Sequence, residues 1–261
     1  MQVLTPIYGI GHAWRATDDD TVTMLLTVLF VVVCVLLPTY RQTIALQVES
    51  VFAPESSRKG LDSAQMQNTG HARMLALMMA AVLAGAAAVL TLLIAHRLWD
   101  PAADLTRPLP PMLFDVIAKV VGPSLYMDHM VAVLLLASGV VWYAFLLLKH
   151  WFTSFVNWTF FPADAKVRWQ CVYRLSLTLH AVCVLAAAMV VVCNDLNITF
   201  SAVLCIIALL PGLLVTIWGV WRLFFGKMVG CLHFLLYLCT LELMLPAMVT
   251  LFQAFLLLPM S

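Results

Sequence analysis

Apolar residues come in runs, and six of the runs reach or approach the length that crosses a bilayer. They lie near 21–37, 74–95, 131–148, 173–193, 200–221 and 230–258. A helix rises about 1.5 Å per residue and the hydrocarbon core is about 30 Å thick, so a span takes about 20 residues. Backbone polar groups find no partner in lipid. A chain that crosses alone must therefore satisfy them within its own helix. The pattern predicts an all-α polytopic bundle of about six spanning helices in one domain, 1–261.

Polar stretches separate the runs. The segment after the first run is predicted to begin as an amphipathic helix through Ile44, Leu46 and Val51. The segment before the third run holds five prolines, with a short helix expected over 112–121. Residues 150–170 mix Trp151, Trp158, Phe160, Phe161 and Trp169 with lysine and arginine. Aromatic rings gather at the headgroup level, so this segment is predicted to be an interfacial elbow.

Composition sharpens the picture. Hydrophobic residues make up 64% and charged residues 10%, against about 45–50% apolar for an ordinary soluble domain. The net charge of +1 gives no reason to expect a nucleic-acid partner. The seven cysteines form no CxxC pair, so neither a disulfide framework nor a metal site is expected. Acidic residues Asp18, Asp19 and Asp20 precede the first run, which is read as a retained helix and not a cleaved signal.

Lysine and arginine are unevenly shared. Ten lie on the side of the first-to-second, third-to-fourth and fifth-to-sixth connections, and four lie on the other. The positive-inside rule puts the ten-residue side in the cytoplasm and both termini outside.

One carboxylate stands deep in a span. Glu242 is twelve residues into the sixth run, about 18 Å along the axis. Pro246, four residues on, leaves the Glu242 carbonyl without its helical donor. Cys239, Pro246 and Gln253 share its face. Two readings are open: a neutral acid hydrogen-bonded for packing, or a proton, cation or partner site. His150, His180 and His233 fall toward the cytoplasmic half, where two facing imidazoles would suit haem and the plainer reading is local hydrogen bonding. Ala80, Ala84 and Ala88, with Gly85 beside them, form a small-residue face suited to close helix packing. The sequence carries no catalytic set, no metal motif and no cofactor motif.

The stretch from His233 through Tyr237, Cys239 and Glu242 to Pro246 resembles the closing signature of a family of uncharacterised bacterial membrane proteins, a domain of unknown function. Asn157, Trp158, Phe160 and Phe161, followed by Trp169 and Tyr173, are similar to its middle signature. The resemblance implies a protein of the bacterial inner membrane and supplies no catalytic residue. The reading that follows is a non-enzymatic subunit or accessory factor of an envelope assembly, touching lipid and another membrane protein or a second copy of itself. The alternatives are a small proton-coupled transporter or channel centred on Glu242, and a haem- or lipid-handling protein.

Overall fold

The computed structural model describes residues 20–52, 69–99, 130–160, 163–194 and 198–224. They form six helices: α1 (Asp20–Thr39), α2 (Arg41–Phe52), α3 (Thr69–Trp99), α4 (Met130–Phe160), α5 (Ala163–Cys193) and α6 (Ile198–Phe224). No strand occurs among the described residues. Five of the helices are long and apolar enough to cross a membrane, and only the twelve-residue α2 is not. The expected all-α membrane bundle is therefore what the chain forms. The sixth expected span, 230–258, and the helix expected over 112–121 lie outside the described residues.

Hydroxyls within the helices are closed locally. Thr27 donates to the Thr23 carbonyl (2.8 Å), Thr91 to Ala87 (2.7 Å) and Thr178 to Arg174 (2.9 Å). This i−4 bond lets a threonine sit in apolar surroundings without an orphaned hydroxyl. Pro38 near the end of α1 has no amide to offer the Cys34 carbonyl. The helical path nevertheless continues, because the Tyr40 amide donates to Leu36 (2.9 Å) and the Ile44 amide to Tyr40 (3.0 Å). α2 is thus joined to α1 without a loop.

α3 and α5 form the centre. In α5, 67% of the spanning window is buried, against 22% in α1. The main core brings α1, α3, α5 and one side of α4 together through Leu26, Leu75, Met79, Val89, Leu134, Leu185 and Val191. The outer faces of α1, α4 and α6 leave Met24, Leu136, Ile206 and Leu214 exposed, as surfaces that meet lipid should be.

The small face of α3 is used inside the bundle. Ala76, Ala80 and Ala84 lie against Phe145, Leu146, Tyr173 and Leu177. Gly139 of α4 faces Ala88, and the Leu29 side chain of α1 fits over Gly85. Close approach there lets Trp142 reach across, where its Nε1 donates to Thr91 Oγ1 at 3.1 Å.

The region 150–170 differs from the expected elbow. α4 runs on through it to Phe160, and α5 starts again at Ala163. At 31 residues each, both helices are about 46 Å long. They exceed the hydrocarbon thickness by several turns. Nothing in residues 149–160 breaks a helix: the segment has no proline or glycine, and its polar groups are tolerable once the helix leaves the apolar layer.

Candidate functional site

Two places in the bundle concentrate polar side chains. The first is a seam where α5 and α6 cross. His180 Nε2 lies 3.0 Å from the Leu209 carbonyl, which only accepts, so this nitrogen carries the proton and donates. The other ring nitrogen, Nδ1, is 3.5 Å from Ser176 Oγ. Ser176 donates to the Gly212 carbonyl at 2.9 Å and accepts from Thr216 Oγ1 at 2.9 Å. Thr216 Oγ1 is also 3.0 Å from that same carbonyl.

Backbone chemistry makes room for the seam. Pro211 removes one amide from the α6 ladder and leaves the Ile207 carbonyl, one turn back, without its helical donor. Gly212 provides the notch. A Cβ at this position would enter the His180 ring, and one at Gly219 would fall 2.5 Å from the Val172 methyls. Two glycines seven residues apart therefore bring α6 down onto α5. His180, Ser176 and Thr216 are all buried. Each is engaged by a neighbour on the facing helix.

His180 is fourteen residues from Lys166 and thirteen from Cys193, the ends of the apolar window of α5. It sits midway along that window, whereas the shorter expected span, 173–193, puts it nearer one end. Chemically, the seam can hold one imidazole tautomer and lock two helices in register.

The second place is one end of the bundle. The described helices alternate in direction, and most of their basic residues, Arg97 apart, fall toward one end: Arg41 at the start of α2, Arg73 early in α3, Lys149 and His150 in α4, Lys166, Arg168 and Arg174 in α5, and Arg222 in α6. The Arg222 guanidinium donates to the Val51 carbonyl at 2.8 Å and ties α6 to the end of α2. Tyr40 meets His71 with ring centroids 6.4 Å apart, and Phe52 stacks on Trp218 at 6.5 Å. α2 turns Thr43, Gln47 and Val51 inward, while Ile44 and Leu46 are half-buried.

At this end α4 and α5 enclose a small crevice walled by His150, Ser154, Gln170, Tyr173 and Arg174, among others. The His150 ring lies on Tyr173, with centroids 5.4 Å apart and planes tilted by 37°. Arg73 and Arg174 are both near enough to act on the charge of His150.

The residues singled out in the sequence are thus divided. His150 and His180 do not face one another: seven residues of α5, about 10 Å, separate Tyr173 under His150 from His180. The aromatic set also splits. Trp151 is 75% exposed and Trp158 72%, while Trp169 is 3% exposed and packed against Val51, Val172, Leu175 and Val215. Glu242, Cys239, Pro246, Gln253, His233 and Phe161 lie outside the described residues, as does the side chain of Phe160. No group of three potential metal ligands occurs among the described residues.

Sequence reasoning did not single out Ser176, Gly212, Thr216, Arg73 or Arg174 as partners. Ser176 and His180 at i,i+4 is a signal that could have been read. The convergence of Arg73, His150 and Arg174 from three helices has no local signature.

The whole described bundle, with its basic end, falls almost entirely within a stretch matched by one family, Domain of unknown function (DUF4271), over residues 22–250. The chain belongs to the DUF4271 family. No curated protein and no solved structure matches it. Both the seam and the basic crevice of this DUF4271 chain lie inside the matched region.

Proposed function

We propose that this DUF4271 protein is a non-enzymatic subunit or accessory factor of an envelope assembly in the bacterial inner membrane. Its contact surface is the projecting aromatic end of α4. The carrying observation is the exposed stripe of Trp151, Phe155 and Trp158, with Phe152 beside it. Spacings of four and three residues put these rings on one face of a helix. α4 is about 46 Å long, more than the hydrocarbon thickness, which supports a reading in which its aromatic end projects from the apolar layer. Tryptophans on a fixed helical face are the side chains that most often anchor protein–protein contacts.

Orientation supports a cytoplasmic location for this surface. The ten-to-four division of lysine and arginine favours a cytoplasmic basic end, with both termini outside. The seam favours the same reading from the other side: the buried hydroxyls and imidazole between α5 and α6 bind each other and backbone carbonyls, as clamps between helices do.

A second reading is a small proton-coupled transporter. Glu242 motivated it from sequence, and His180, a titratable ring midway along a spanning window, is the described group that favours it. Affinity capture of the tagged full chain in a mild native detergent, followed by mass spectrometry, separates the two. A stoichiometric membrane partner is the outcome expected for the subunit. Pure protein with no partner, together with proton flux in liposomes that Glu242→Gln or His180→Gln abolishes, would replace it with the carrier.

A further inference from the structure

α2 is held unevenly along its length. Where it joins α1, Pro38 has no amide to offer the Cys34 carbonyl, and helices bend most readily at such a place. At its other end, Val51 is buried against Trp169, Val172, Leu175 and Val215. There Arg222 of α6 donates to the Val51 carbonyl at 2.8 Å, and Phe52 stacks on Trp218. An arginine at the last carbonyls of a helix is favourable both as a donor and as a positive charge.

The middle of α2 is different. Gln47 stands one turn before Val51 on the same inward face, where α2 packs on α5. It is 3% exposed, yet neither the oxygen nor the nitrogen of its amide has a hydrogen-bond partner among the described residues. An amide that leaves water without gaining a partner opposes the docking that buries it. Its cost is comparable to what one good hydrogen bond returns. Ile44, nearer the junction, packs against the main core, whereas Val51 and Trp169 form a cluster of their own. The far end of α2 can therefore lift without unpacking the bundle.

We propose that α2 is a hinged strap that lifts from α5 about the Pro38 junction and closes again, held shut by Arg222 and opposed by the buried amide of Gln47. Lifting returns the Gln47 amide to water and uncovers the apolar floor at Trp169. The device does not depend on what the aromatic end of α4 contacts.

Hydroxyl-radical footprinting of the purified full chain in mild native detergent, read by mass spectrometry, tests this. Trp169 is 3% exposed with the strap down, so oxidation of its ring reports the lifted fraction, and the exposed Trp158 is the internal reference. Gln47→Met keeps an unbranched side chain and removes the amide. Trp169 oxidation relative to Trp158 should then fall about tenfold, as relief of one unpartnered buried amide implies. Arg222→Gln should raise it about fivefold, as loss of a hydrogen bond from a charged donor implies. Trp142→Phe, which removes a bond between α3 and α4, should leave it unchanged. Trp169 oxidation unaltered or raised by Gln47→Met overturns the proposal, as does a Trp169 that is never oxidised in the unaltered chain or in Arg222→Gln. Gln47→Met protein that cannot be purified folded also overturns it, because the strap requires methionine to favour the closed form. A rise with Trp142→Phe equal to that with Arg222→Gln would mark loosening of the whole bundle and would overturn it too.

Discussion

The α5–α6 seam and the basic end of the bundle are both polar, and they are built in opposite ways. In the seam, three side chains on two helices bind one another and two backbone carbonyls, and two glycines let α6 approach α5 closely. At the basic end, Arg41, Arg73, Lys149 and Arg174 gather from four helices, and the rings of Trp151 and Trp158 beside them are exposed. A polar group buried in a bundle is kept when its partners are internal. Charged and aromatic groups turned outward at one end have no such internal partners, and the proposed function rests on that difference: structure in the seam, recognition at the end.

The largest expected effect breaks the seam. Gly212→Ala puts a methyl into the His180 ring, and overpacking of this kind costs about 1–3 kcal/mol. The thermal midpoint in detergent should fall, and His180→Ala in the same chain should restore much of it. A double variant no better than Gly212→Ala would show that the notch does not serve His180. Next in size, His180→Leu removes the bond to the Leu209 carbonyl while keeping bulk, and should cost about 1–2 kcal/mol by the same measurement. Trp142→Phe removes only the bond to Thr91 and should cost about 0.6 kcal/mol, near the mean for interhelical hydrogen bonds. At the other region, Arg73→Gln should change the midpoint by less than about 0.5 kcal/mol equivalent, as exposed substitutions do. A loss as large as that of Gly212→Ala would erase the contrast.

Fluorescence sharpens the comparison without altering stability. On single-tryptophan variants, brominated lipids should quench Trp158 at shallow depth and leave Trp169 nearly untouched, since 72% of one and 3% of the other is exposed. Equal quenching would contradict the inward placement of Trp169.

Much of the bundle was readable from the runs alone, because lipid forces any long apolar segment to be a helix. The alanine face of α3 was readable too: spacing of four with small side chains has few uses other than close packing. Four features were not. The aromatic and basic residues from Lys149 to Gln170 suggested an interface, but they do not say how much of it is helical: α4 continues to Phe160 and α5 starts at Ala163. α2 was expected to bury Ile44, Leu46 and Val51. Val51 is buried against Trp169, Val172, Leu175 and Val215, but the other inward residues are Thr43 and Gln47, and Ile44 and Leu46 are only half-buried. Gly212 and Gly219 carry no signal of their own in an apolar run; only the facing His180 and Val172 give them a purpose. Arg73, His150 and Arg174 are far apart in sequence, and their meeting is a product of the bundle.

The account places the working surface at the aromatic end of α4 and not in the seam. Quantitative copurification of the full chain with whatever membrane protein it captures tests this most directly, comparing Trp151→Ala/Trp158→Ala with His180→Gln in protein matched for thermal midpoint. Anchoring tryptophans are worth at least about 2 kcal/mol each when truncated, so the account predicts partner recovery reduced at least tenfold in the tryptophan variant and unchanged in the histidine variant. Full recovery with both tryptophans removed, and loss with His180→Gln, would contradict it.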